Sequence, residues 1–315
     1  MRTWKTFTTA GILTLTAVFA VGCGSSGGTT AQSAAPAPAA PESAAPSAPA
    51  AEPSEAAPAE PTTLLERIQR DGVLRVSTDP AYPPQSSFDE ATGEWAGFDI
   101  DVATEIANRL GTTVQWETPS WDVLTAGNWN DRWDISVGSM TITDERDKVL
   151  QFTTPYYFTP AGVAVGAGSD ITSIDQLSGK RVGVCGACTY EYYLNRTLKI
   201  PGFDFDFIVP EDIEVVTYDT DSTGIQDLAL GRIDAMVSTV PTLEEAIKKG
   251  KKIALIGETI FQEPLSVATD RGSMLPSDTL VSEINSVIEA MRADGKLSEL
   301  SMKWYGVDFT KGAGS

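Results

Sequence analysis

The residues best suited to act on a ligand are Ser139, Thr141 and Arg146, which share the stretch Ile135–Arg146. A short apolar strand there runs into Gly138, then into small hydroxyl side chains, then into a helix start. Thr143 has the character of an N-cap, and Asp144 and Glu145 suit the positive end of a helix dipole. Arg146 does not, because a cation in the first turn is repelled by that end. Two readings stand. The guanidinium, nearby N–H groups and the hydroxyls of Ser139 and Thr141 would together hold a small carboxylate. Alternatively, Arg146 is a surface charge balanced by Asp144, Glu145 or Asp147. Histidine is absent from the chain. That removes the commonest general base and the commonest transition-metal ligand.

Residues can converge on a ligand only if the elements around them bring them together. Leu64–Gln69 reads as a short helix, and Val73–Ser77 as a strand ending in Thr78-Asp79-Pro80-Ala81-Tyr82-Pro83-Pro84. Phe98–Leu110 carries apolar residues at helical spacing, with Gly111 as its C′ residue. Thr113–Trp116 and Ile135–Val137 read as strands, with a helix start between them near Trp121. The rhythm then restarts. Strands are predicted at Val163–Gly166, Arg181–Val184, Glu214–Tyr218, Ile233–Val237 and Lys252–Ile256. Helices are predicted at Tyr190–Leu198, Ser222–Leu230, Thr242–Lys249, Thr279–Met291 and Leu297–Trp304. This alternation predicts an α/β fold in two units of similar size, each a mostly parallel sheet under covering helices.

The 315 residues include 23 Lys plus Arg against 43 Asp plus Glu, a net charge of −20. So negative a surface repels nucleic acid and anionic membranes. Cys23, Cys185 and Cys188 are too few to staple a fold, so stability must come from a hydrophobic core. Arg2 and Lys5 precede the apolar run Ala10–Val21, which suits a signal peptide over residues 1–22 and is short for a membrane span of roughly 20 residues. Ala20-Val21-Gly22-Cys23 resembles the lipobox of bacterial lipoproteins, which implies acylation of Cys23. Residues 23–61, rich in Ala, Pro and Ser, have nothing to bury. They are expected to form an extended tether reaching on the order of 100 Å. The folded part would then lie outside the cytoplasm, held to a membrane by the lipidated Cys23, at the cell surface or in the periplasm.

Several motifs occur in a telling order over Leu65–Phe309: Thr78–Pro84, Gly97-Phe98-Asp99-Ile100-Asp101, Gly138–Arg146, Gly231-Arg232-Ile233-Asp234-Ala235, and Ala293-Asp294-Gly295-Lys296 through Lys303-Trp304-Tyr305-Gly306. In that order the chain resembles the bacterial extracellular solute-binding protein family three, the polar amino-acid receptors of ABC importers. The resemblance implies a two-lobed periplasmic-binding-protein fold of type II, with a ligand cleft between lobes joined by two crossover segments. Lobe one would be residues 62–157 and 263–309, lobe two residues 161–258, and residues 310–315 a tail. The implied function is capture of a small carboxylate-bearing polar solute, an amino acid foremost, by hinge closure, followed by docking on a transporter permease. It implies a monomer, no cofactor, no metal and no reaction.

Carried over position by position, Arg146 resembles the family's arginine for the ligand α-carboxylate, with Ser139 and Thr141 as helpers and Thr189 opposite. Tyr82 and Trp121 match the aromatic walls, for which core packing is the alternative. Asp79 falls where the ligand's far end is contacted, and it also reads as a turn aspartate before Pro80. Two positions depart from the pattern. Thr239 stands where the family usually places an aspartate for the α-amino group, so Glu191 or Asp79 fills the role or the ligand is not a standard α-amino acid. Cys185 and Cys188 stand where small or amide residues usually line the pocket. In an exported protein the pair reads as a local disulfide, with a reactive pair as the alternative. Two rival functions remain: an enzyme on the same scaffold, dehydratase-like, with Glu191 and Asp79 as its acids, and an amino-acid sensor.

Overall fold

The computed structural model describes residues 59–311. The expected signal peptide, Cys23, nearly all of the tether and most of the tail lie outside the described residues. Helix α1 (Leu64–Asp71) opens on a capping box, in which the Thr63 hydroxyl accepts from Glu66 N at 3.2 Å and the Glu66 carboxylate accepts from Thr63 N at 3.3 Å. It leads into β1 (Val73–Ser77). A small antiparallel sheet of β2 (Ala81–Tyr82), β3 (Ser86–Asp89) and β4 (Glu94–Ala96) follows. Then come α2 (Phe98–Leu110), β5 (Thr113–Glu117), α3 (Trp121–Thr125), β6 (Ile135–Thr141) and β7 (Leu150–Phe152). Next are β8 (Tyr157–Gly166), β9 (Arg181–Cys185), α4 (Thr189–Leu194), β10 (Glu214–Tyr218), α5 (Asp221–Ala229), β11 (Ala235–Thr239) and α6 (Val240–Lys248). The chain closes with β12 (Ile253–Asp270), α7 (Asp278–Ala293) and α8 (Lys296–Tyr305).

Nine strands form one sheet in the order β10-β9-β11-β8-β12-β6-β1-β5, with β7 paired to β12. Its flanks are parallel, as the strand-helix alternation predicts: β1 with β5 and β6, and β9 with β10 and β11. Its middle corrects the expectation of a mostly parallel sheet. There β8 pairs antiparallel with β11 and β12, and β12 antiparallel with β6 and β7. A chain that leaves one half of a molecule and returns to it must cross in opposite directions, and β8 and β12 are those crossings. The helix expected after Thr143 is also corrected. Arg146–Lys148 is a single 3-10 turn whose N-cap is Glu145 and not Thr143, although the Thr143 hydroxyl accepts from Arg146 N at 3.3 Å.

Two separate cores sit at the two ends of this sheet. The first packs α1, α2, α7 and α8 on β1 and β6, through Ile68, Leu74, Phe98, Ile106, Ile135, Ile284 and Met291. The second packs Val163, Leu177, Val182, Val184, Tyr193 and Val237 on one face, and Ile225, Leu228, Met236 and Leu243 on the other. Each such side chain, once buried, contributes roughly 1.5–3 kcal/mol. Strand β8 enters the first core with Tyr157 and the second with Val163, while β12 enters the first with Leu265 and Val267 and the second with Ile253. Gly224 lets α5 lie close on the second core: a Cβ there would stand 2.7 Å from Met236 Sδ. Among the described residues, no helix is long and apolar enough to cross a membrane.

Candidate functional site

A cleft of about 520 Å³, its open mouth included, lies between the two halves. Asp79, Tyr82, Trp121, Ser139, Thr141 and Arg146 line it from the first half. Cys185, Cys188, Thr189, Tyr190 and Asp219–Asp221 line it from the second, and Glu263 of β12 lies on its floor. The residues come from strand ends and the turns after them, which is where an α/β sheet offers side chains to a ligand.

Arg146 is 3% exposed. Its Nη1 donates to Thr141 O at 2.9 Å and its Nη2 to Ala187 O at 2.9 Å, while Nε has no partner. The guanidinium carbon lies 5.2 Å from the Trp121 ring centroid, in cation–π range. Burial lowers its pKa to about 10, so it stays a cation near neutral pH. Trp121 thus walls the cleft, and its Nε1 donates across it to Ala187 O at 3.1 Å. Ala187 sits between the two cysteines, which form a disulfide with Cα atoms 5.7 Å apart. Its φ of 56° is left-handed, and its N–H donates to Glu191 Oε2 at 2.6 Å. Disulfide and carboxylate together aim one carbonyl at Arg146 and Trp121. Glu191 is therefore occupied in shaping this turn.

Glu263 is the focus of the hydroxyls. The side chains of Thr141, from one half, and of Thr189 and Tyr190, from the other, all donate to its carboxylate, Thr141 at 3.1 Å. Burial pushes its pKa up, and the three hydroxyls pull it back. Ser139 lines the cleft but donates its hydroxyl inward to Asp99 Oδ2 at 2.6 Å, and Tyr156 donates to Asp99 Oδ1 at 2.7 Å. Asp99 is wholly buried, which pushes its pKa up to about 7. Asp79 accepts from Ala81 N at 2.7 Å, a turn contact, and burial raises its pKa as well.

Of the described residues singled out in the sequence, Glu191 does not line the cleft, and neither does Thr239. Thr239 is fully buried at the end of β11, with its hydroxyl donating to Pro160 O at 3.3 Å. Sequence reasoning missed Glu263, Tyr190 and Asp221. Glu263 stands in a strand of mixed polar and apolar residues and Asp221 at an ordinary helix start, so neither position stood out in the sequence. Among the described residues, no group of three His, Cys, Asp or Glu is placed to hold a metal ion.

Residues 74–307 match the family model of the bacterial extracellular solute-binding proteins, family 3. The chain belongs to this family. The L-cystine-binding protein TcyJ of Escherichia coli is 33% identical over 251 residues, which cover 79% of this chain and 88% of that protein. The L-arginine-binding protein of Pseudomonas aeruginosa is 30% identical over 247 residues, covering 76% of this chain and 90% of that one. A solved structure of an ancestral arginine-binding protein bound to arginine is 31% identical, with a TM-score of 0.65, over 75% of this chain and 99% of that one. This family 3 solute-binding protein has the two-lobed α/β fold, its lobes joined by β8 and β12 and its cleft between them.

Proposed function

We propose that the protein is the extracytoplasmic receptor of an ABC importer, that it captures an amino acid by closing its lobes, and that it performs no reaction itself. The observation that carries this reading is Arg146, a buried cation in the cleft with an unpartnered Nε, bonded to Thr141 O on one side and Ala187 O on the other. A ligand carboxylate is its natural partner. Thr189 and Ser139 line the same cleft, Tyr82 and Trp121 supply apolar walls, and Asp79 faces the rest of the ligand. Lobe one comprises residues 62–157 and 263–309 and lobe two residues 161–258, a division supported by the two separate cores. Closure is supported by bonds that already span the cleft, such as Ser222 Oγ to Ala81 O at 2.6 Å and Thr242 Oγ1 to Gln85 Oε1 at 3.0 Å. The names of the relatives, which bind cystine and arginine, support an amino acid as the solute. A lipid on Cys23 would keep the monomeric receptor beside its permease.

Titration calorimetry with L-arginine, L-glutamine and L-cystine tests the reading. At least one is expected to bind the wild type, and Arg146→Ala is expected to weaken it by roughly a hundredfold, the loss of a buried charge-assisted pair. Equal affinity in wild type and variant would refute the carboxylate clamp. A product found in the binding mixture would refute the receptor in favour of an enzyme.

A further inference from the structure

The cleft holds more negative charge than its single arginine can match, and one of its acids is left unsatisfied. Glu263 accepts from three hydroxyls, and Asp79 Oδ1 accepts from Ala81 N. Asp221 is 6% exposed, and burial pushes its pKa up while the nearby Ser238 hydroxyl pulls it down, yet its Oδ1 has no hydrogen-bond partner. It opens α5, where Thr220 caps the helix by accepting from Thr223 N at 3.3 Å, so the positive end of the dipole favours its ionised form. Ser222, the next residue, reaches across to Ala81 O, which sets Asp221 against the loop that carries Asp79 and Tyr82. The groups whose charge bears on it are Asp79, Glu263, Tyr82 and Tyr190, and none is a cation.

A buried carboxylate oxygen without a donor costs free energy unless a donor arrives with the ligand. Thr239 cannot serve a cation, being uncharged and turned toward Pro160. We propose that Asp221 is the residue that holds a protonated nitrogen of the ligand, opposite in charge to the carboxylate that Arg146 holds. This deepens the receptor reading and rests on it. The ligand class is then a zwitterion or a basic amino acid, with Asp79 beside Asp221 favouring a second positive group. Burial pushes the Asp221 pKa up to about 7, so part of the unliganded population carries a proton that an arriving cation would displace.

The test uses the full-length protein and three probes: L-glutamine, L-arginine, and 5-guanidinopentanoate, which is arginine without its α-ammonium. Asp221→Asn is expected to weaken binding at least tenfold, and Asp221→Glu to recover part of the loss. A fall for both amino acids assigns the α-ammonium to Asp221. A fall for L-arginine and 5-guanidinopentanoate, with glutamine unaffected, assigns the side-chain guanidinium. Calorimetry in buffers of different ionisation enthalpy is expected to show proton release at pH 7 in the wild type and none in Asp221→Asn, a difference that a merely structural aspartate would not produce. Unchanged affinity for all three probes in Asp221→Asn, with binding still lost in Arg146→Ala, would overturn this inference alone. Failure of every amino acid to bind the wild type would overturn the receptor reading and this inference with it.

Discussion

Asp99 offers the sharpest quantitative test of the electrostatics beneath the cleft. It is wholly buried under Ser139, and burial raises its pKa from the ordinary 3.8 to about 7, against the opposing pull of the Ser139 and Tyr156 hydroxyls. Between those two values the folded chain holds a proton at this carboxyl that the unfolded chain has released. Folding stability must therefore fall as pH rises through that window, by about 1.4 kcal/mol per unit. The penalty is absent below the unfolded value and levels off above about pH 7. From about pH 5 to about pH 7 the loss comes to about 2 kcal/mol. Asp99→Asn keeps the shape and the oxygen that accepts from Tyr156 while removing the titration. Urea unfolding of wild type and variant at half-unit steps of pH gives the difference curve directly, and subtraction cancels Asp221, which titrates in the same sense. The variant is expected to gain on the wild type by about 2 kcal/mol across that window. Parallel curves would refute the argument, because they would mean that Asp99 is ionised throughout and that its hydrogen bonds outweigh burial.

Two further outcomes follow from contacts away from the ligand. Asp134, whose carboxylate is inaccessible, accepts from the Arg75 backbone N at 2.9 Å and pairs with the guanidinium groups of Arg67 and Arg75. Asp134→Ala takes the carboxylate from Arg75 and leaves Arg67 only Asp71 at 3.5 Å, and it is expected to lower urea-unfolding stability by about 3 kcal/mol; a loss below about 1 kcal/mol would show that water replaces the pairing. The Cys185–Cys188 bridge closes a ring too short to restrain the unfolded chain much, yet it holds the turn that aims Ala187 O. Reduction, checked by thiol counting, is expected to weaken ligand binding severalfold while moving the melting temperature by only a few degrees. The reverse pattern would mean that the bridge serves stability and not the site.

Much of the architecture could be read from local pattern. Helix α2 spans Phe98–Leu110 as the apolar spacing predicts, because Gly111, at φ 73°, ends it in the left-handed conformation. The small sheet of β2, β3 and β4 was not legible, since strands as short as Ala81–Tyr82 have no alternation to detect. Nor was the run of β12 past Ile256, whose partners Tyr157–Ala161 lie about a hundred residues away. In the cleft, Arg146 was conspicuous because it violates a helix-dipole rule. Asp221 escaped notice for the opposite reason: an aspartate at a helix start satisfies that rule, and only its buried, unpartnered oxygen marks it as more than a cap. Thr239 drew attention by sequence position, but every residue of β11 is buried, so its place in the strand could not say which side its hydroxyl faces.

The crossing strands carry a consequence for how tightly the protein can hold its ligand. Ile256 pairs with Val163 and Phe261 with Ala161, so four residues, Gly257–Ile260, stand opposite Gly162 alone. The β8–β12 ribbon that joins the lobes thus carries a four-residue bulge at Gly257–Ile260, where strand pairing restrains bending least. The stiffness of this spring sets how much of the population rests closed before any solute arrives. Apparent affinity scales with that fraction. Evolution or engineering could accordingly retune the receptor for scarce or abundant solute by altering Gly257–Ile260, with every side chain in the cleft left as it is.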